Sequence, residues 1–301
     1  LGLWKEIPMQ LPLCALIALT VSADPWADTV IQFDPGVGGV AGYDDPIAAL
    51  GPPTRWTGEG TETPMVVSPF SPAWMPDEIV SIGAGGSLTV VFDPPILNDP
   101  DNPFGVDMIV FGNAGFIDLA WPTGVCGGIF GADGGSISLS ENGSDWVLLD
   151  NVTADGPWPT LGWLDAGPYD EWPGLVPSDS TKAMAPTLNV ADAEGLGHDE
   201  LLDLYDGSSG GVGIDIGAAE LSAVTAVRID VSADAFLSVE VDAVVDAGSW
   251  NPADLNGDGL VGVDDLLMVI GDWGAASGPG DANGDSTTDV NDLLVVLKAW
   301  T

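Results

Sequence analysis

Alternating apolar and polar positions run through the middle of the chain. In "VTAVRIDVS" Val227, Ile229 and Val231 alternate with other residues, and "LSVEVDAVV" repeats the pattern at Val239 and Val241. A period of two sends one set of side chains into a core and the other towards solvent, which predicts strands. Similar runs occur at "TVIQF", "SLTVVF", "DMIVFG", "SISLS" and "DWVLLD", with turn clusters such as "GADGG" and "ENGSD" between them. The stretch "SISLSENGSDWVLLD" reads as a hairpin with Asn142 and Gly143 in its turn. One segment, "HDELLDLY", reads instead as a short helix starting near His198 or Asp199. Many short strands joined by Gly, Pro and Asp loops predict a mainly β fold, a jelly-roll β-sandwich over residues 24–248.

The pattern changes after a linker at 249–253. "DLNGDGLVGVDDLLMVIGDWG" aligns without a gap on "DANGDSTTDVNDLLVVLKAWT". Leu266, Leu267, Val269 and Trp273 match Leu293, Leu294, Val296 and Trp300, a spacing that predicts one apolar face of a short helix in each copy. Ahead of each helix stands an acidic loop. Asp254, Asn256, Asp258 and Asp265 match Asp281, Asn283, Asp285 and Asp292. These are positions 1, 3, 5 and 12 of a loop that wraps a hard cation in oxygen ligands, with the backbone carbonyls of Leu260 and Thr287 at position 7. Gly259 permits the sharp turn at position 6 of the first loop. Ser286 replaces it in the second, which predicts a weaker site there. Ca2+ is the expected cofactor, and its binding is expected to contribute to folding of a module whose helices are marginal alone.

This tandem loop-helix repeat at 254–301 resembles the type I dockerins, and more closely the planctomycete-type dockerin-like tails. The resemblance implies a small α-helical module of half EF-hands, with Asp at position 12, that docks onto a cohesin-like partner. Positions 10 and 11 hold Val263 and Asp264, then Val290 and Asn291, where cohesin-binding dockerins usually carry hydroxyl residues. Docking onto another surface protein, or service as a calcium-stapled cap, therefore stays open. The body resembles the discoidin or galactose-binding-like jelly rolls through "SISLSENGSDWVLLD" and through "VRIDVS" followed by "VDAVV". "SIGAGGSLTVVFD" and "VFGNAGF" are similar to an uncharacterised bacterial cell-surface family with the same architecture. These likenesses imply a fold more than a function.

Charge narrows the partners. The 301 residues carry 46 acids against 5 bases, a formal net charge of −41. Phosphate binding needs Lys and Arg, so no nucleic-acid partner is expected. Asp outnumbers Glu 36 to 10, which favours turns and metal loops over charged helices. Residues 1–23 read as a secretory signal peptide, with the apolar run Leu11 to Val21 before the small residues Val21, Ser22 and Ala23. A secreted, extracellular or cell-surface location follows, with no transmembrane anchor expected beyond that segment. Cys14 would leave with the signal, so Cys126 would have no disulfide partner within the chain.

Candidate chemistry is sparse. The lone histidine, His198, and Cys126 lack partners for a recognisable catalytic constellation, and no HExxH or phosphate loop is present. "DGPWPTLGWLDAGPYDEWPGLVP" gathers Trp158, Trp163, Tyr169 and Trp172, which could stack on sugar rings of a polysaccharide or pin a long loop onto the sandwich. Asp99, Asp101, Asn102 and Asp107 in "NDPDNPFGVD" form a candidate second metal site. A non-enzymatic Ca2+-binding protein is the leading expectation. A dockerin-bearing glycoside hydrolase and a structural coat protein are its rivals.

Overall fold

The computed structural model describes residues 25–174, 176–248, 253–256, 261–275, 279–282 and 287–300. The expected signal peptide and most of the linker lie outside the described residues. The chain runs through β1 (Thr29–Asp34), the short pair β2 (Trp56–Thr57) and β3 (Met65–Val66), then β4 (Val80–Ile82), β5 (Ser87–Leu97) and β6 (Met108–Phe111). A second short pair, β7 (Gly115–Asp118) and β8 (Cys126–Phe130), precedes the hairpin of β9 (Gly134–Ser140) and β10 (Val147–Asp155). Helices α1 (Val190–Ala193) and α2 (His198–Tyr205) follow, then β11 (Val212–Ile214), β12 (Ala223–Asp230), β13 (Val239–Val241) and β14 (Ala243–Asp246). The tail holds α3 (Val263–Gly271) and α4 (Val290–Lys298).

The fold is mainly β, and its sheets are antiparallel. One sheet has the order β1-β5-β12-β9-β10; facing strands pair as β11-β6-β14 and β13-β4. Alternate residues of the two sides meet in one core. Leu88, Val90, Ile137, Leu139, Val227 and Ile229 come from the five-stranded sheet, and Val80, Ile82, Met108, Val110, Val241 and Val244 from the facing strands. This shared core is the arrangement of a β-sandwich. β6 is buried on both faces: Met108 and Val110 enter that core, while Ile109 and Phe111 join Trp26, Ala243 and Val245 in a second cluster. That is why "MIVF" is continuously apolar rather than alternating.

Local chemistry sets the boundaries. In the β9–β10 turn the Asn142 side-chain oxygen accepts from the Ser144 and Asp145 amides at 2.8 and 2.9 Å, and Gly143 adopts φ 73°. β10 starts at Val147 and runs beyond the predicted "DWVLLD" to Asp155, because a register shift with Asn151 at φ 62° lets the strand bend and continue. The predicted strand "LSVEVDAVV" is divided at Asp242. There its buried carboxylate accepts from the Thr54 amide and hydroxyl, and the chain changes partner from β4 to β6.

A second core lies beneath the long connection from β10 to β11. Phe70, Phe116, Cys126, Trp158, Leu201 and Tyr205 form it, with α2 supplying the last two. In the tail, α3 and α4 share a small cluster of Ala253, Val261, Val269, Ala282 and Val296, backed by Leu266 and Leu293. The predicted apolar face of each helix is divided in two. Leu266 and Val269 turn towards the partner helix, whereas Leu267 and Trp273 are exposed. Among the described residues no helix is long and apolar enough to cross a membrane.

Candidate functional site

Three carboxylates from separate segments converge on the edge of the sandwich core. β10 ends at Asp155, β13 carries Glu240, and Asp133 stands just before β9. One carboxylate oxygen from each lies within 4.8 Å of the others. Asp155 is only 1% exposed, Glu240 is buried and Asp133 is half-buried. The Ser81 and Ser238 hydroxyls both donate to Glu240 Oε1, at 2.7 and 2.6 Å, and fix that carboxylate. Asp155 Oδ2 accepts from the Asp133 amide at 3.3 Å, while its buried Oδ1 has no hydrogen-bond partner. Gly112, just after β6, makes room for it: a Cβ there would fall 2.4 Å from Asp155 Oδ1. Burial raises the Asp155 carboxyl to about 8; the charges of Glu240 and Asp133 add to this, and the Asp133 and Ala114 amides oppose it. The three acids are close enough to hold a metal ion. No motif joins residues so far apart in sequence. The one local signal was an acid, Glu240, inside an otherwise apolar strand.

The aromatic loop divides by burial. Trp158 is 8% exposed and meets Phe116 and Tyr205 edge-on, with ring centroids 6.3 and 5.9 Å away. Trp163 is half-buried and its Nε1 donates to the Arg55 carbonyl at 3.1 Å. The Tyr169 hydroxyl donates to Asp118 Oδ2 at 3.2 Å, and its ring lies 6.4 Å from that of Trp121. Trp172 is 74% exposed at the rim of a shallow depression of about 340 Å³ shared with Asp165, Asp170 and Glu171. Trp121 is equally exposed and was not singled out by the sequence, because it stands apart from the Trp-rich stretch. The loop thus joins two packed roles, at Trp158 and Trp163, to one solvent-facing indole at Trp172.

The "NDPDNPFGVD" segment is organised around Asp107, which is fully buried. Its Oδ1 accepts from the Asp99 amide (2.8 Å) and Asn102 Nδ2 (3.2 Å), and its Oδ2 from the Ile216 amide (3.0 Å). Asp99 Oδ1 accepts from the Asp101 amide at 2.9 Å, and the Asp99 and Asp101 side chains face solvent. Burial raises the Asp107 carboxyl, against the pull of those amides. The structure therefore brings Asn102 and the Asp99 backbone to Asp107 through protein hydrogen bonds. His198 is buried, its ring 6.4 Å from Phe70, and burial lowers its pKa. Cys126 is buried too, and burial pushes its thiol up to about 11.

In the tail, Asp265 and Asp292 occupy the same place, the third residue of α3 and α4, and both are buried. Asp265 Oδ1 accepts from the Leu255 and Asn256 amides at 2.7 and 3.2 Å, and Oδ2 from Gly262 at 2.7 Å, so one acid ties the start of the loop to its end. Asp292 Oδ2 accepts from the Asp289 amide at 2.7 Å. Asp254, Asn256 and Asp281 are half-buried and Thr287 is exposed; Asp258, Leu260, Asn283 and Asp285 lie outside the described residues. Arg55 reaches from the sandwich to donate to the Asn256 carbonyl at 3.3 Å. Each helix also carries a matching exposed stripe: Val263, Leu267, Ile270 and Trp273 on and just after α3, and Val290, Leu294, Leu297 and Trp300 on and after α4.

No protein-family model matches this chain, and no curated protein matches it.

Proposed function

We propose that this is a secreted or cell-surface, non-enzymatic Ca2+-binding protein, a jelly-roll sandwich joined to a dockerin-like docking module at residues 254–301. The observation that carries this reading is the duplication in the tail. Asp265 and Asp292 sit buried at equivalent helix positions behind equivalent acidic loops, and equivalent apolar stripes are left in solvent. A buried closing acid suits position 12 of a cation loop. Paired stripes of Leu, Ile, Val and Trp suit contact with a cohesin-like or other surface protein, since large exposed apolar patches mark interaction sites. Trp172, with Asp165 and Asp170 beside it, supports polysaccharide as ligand of the sandwich: an indole face stacks on a sugar and carboxylates accept its hydroxyl hydrogens.

Calorimetric titration of the full chain with Ca2+ tests the tail. Replacing Asp254 and Asp265 together by Ala should remove one Ca2+ per chain and leave the sandwich folded. Unchanged stoichiometry in that variant would sink the assignment of the first loop. A glycan array and a reducing-sugar assay on the same protein separate binding from hydrolysis, and release of sugar would favour the glycoside hydrolase reading.

A further inference from the structure

We propose that Asp133, Asp155 and Glu240 form a site for a hard divalent cation of the Ca2+ class, inside the sandwich and separate from the tail loops. Three carboxylates whose ligand oxygens stand within 4.8 Å of one another repel strongly unless something neutralises them. Among the described residues, Lys182 pairs with Asp206 and Arg228 with Asp230, so neither of these cations is matched to the triad. Asp155 Oδ1 is fully buried and makes no hydrogen bond, and an unsatisfied buried carboxylate oxygen is among the most costly groups a fold can carry. The space around that oxygen depends on Gly112 having no side chain, since a Cβ there would fall 2.4 Å from Asp155 Oδ1. The Ser81 and Ser238 hydroxyls hold Glu240 in place as supporting groups orient a metal ligand. All the side-chain donors are oxygen, with no sulfur or imidazole among them, which selects hard ions and disfavours zinc or copper.

The position gives the ion a task. Asp133 and Asp155 frame the open end of the β9–β10 hairpin in the five-stranded sheet, whereas Glu240 belongs to the facing β13–β4 pair. A cation held by all three joins the two sides of the sandwich at one edge. Its binding free energy then adds to the stability of the folded sandwich, because the unfolded chain does not bring these residues together.

The test uses the full chain carrying Asp265→Ala and Asp292→Ala, so that the tail is weakened as a source of bound ion. After exhaustive dialysis against Ca2+ and then buffer, metal content and melting temperature are measured with and without chelator, and again with Mg2+ and Mn2+. One ion per chain and a higher melting temperature with Ca2+ are expected, both lost on adding Asp155→Asn. Asn keeps the shape of Asp155 and removes its charge, so this variant is expected to fold, and Glu240→Gln serves as the second variant because its amide oxygen still accepts from Ser81 and Ser238. Retention of the ion in both variants would place it elsewhere and overturn the proposal. So would the absence of any ion or melting shift with all three metals, which would leave the triad as carboxyls kept neutral by shared protons. Failure of the tail reading changes none of these outcomes, since both tail acids are already removed.

Discussion

At the scale of the residue, burial decides what a conspicuous side chain does. Trp158 and Trp172 stand in one Trp-rich stretch, yet one packs edge-on against Phe116 and Tyr205 and the other faces solvent. Trp158→Ala should lower stability by about 3–5 kcal/mol, the range for large aromatic truncations in a core. Trp172→Ala should leave the melting temperature unchanged and weaken the proposed glycan binding; equal melting losses in the two variants would show that Trp172 is packed as well. His198 gives a pH prediction. Burial holds its pKa below the ordinary 6.5, while Asp199 and Asp170 oppose that shift. The neutral ring is therefore the form the fold prefers, so its stabilising contribution is present above pH 6.5 and is lost as pH falls from there towards the folded value. Between pH 7.5 and 5.5 the wild type should lose more stability than His198→Phe, as read from urea midpoints. Parallel losses would mean that the imidazole takes up its proton equally in the folded and unfolded chains. None of these distinctions is written in the sequence, because the alternation that marks a strand says nothing about which loop aromatics a second core will claim. The convergence of Asp133, Asp155 and Glu240 was illegible for the same reason: it depends on strand pairing between distant segments.

At the scale of the element, the sequence was far more readable. The strands around Val90, Ile109, Leu139 and Val227 were visible from period-two or continuous apolar runs, and α2 fell on "HDELLDLY" because its apolar residues recur at helical spacing. What escaped was interruption. The division at Asp242 comes from a hydrogen bond to Thr54 far away in sequence, and the extension of β10 comes from a bend at Asn151. The helices of the tail were expected with one apolar face each, but they are too short to bury it all: Val269 and Val296 fill the contact between them and leave Leu267 and Leu294 outside. Replacing Leu267 and Leu294 together by Glu should therefore preserve the circular dichroism and melting of the full chain while abolishing capture of the surface-protein partner proposed for the tail. Asp265→Ala, by contrast, removes the acid that closes the first loop and caps α3. It should cost about 1 kcal/mol of tail stability even without Ca2+, detectable as faster amide exchange confined to α3 and its neighbours. Exchange unchanged from wild type would mean that the loop is held closed by other groups.

At the scale of the whole molecule, charge sets the conditions under which the fold is stable. With 46 acids against 5 bases, and a net charge of −41, most carboxylates have no basic side chain to pair with. Self-repulsion of this kind destabilises the compact state and is screened once the Debye length falls to about 8–10 Å near 0.1–0.15 M salt. The melting temperature in chelator should therefore rise as NaCl increases from 0.02 to about 0.5 M and flatten above that, since exposed charges are then screened at contact distance. CaCl2 at matched ionic strength separates screening from binding. If cations are held at defined sites, Ca2+ should raise the melting temperature beyond the NaCl value, and the excess should saturate at low millimolar concentration rather than grow with ionic strength. Two variants divide that excess between the sites. Asp254→Ala with Asp265→Ala removes the part due to the first tail loop, and Asp155→Asn removes the part due to the sandwich. A Ca2+ curve that superimposes on the NaCl curve in wild type would mean that neither the acidic loops nor the triad binds an ion, and that the acids serve only to keep the surface charged in a salty medium.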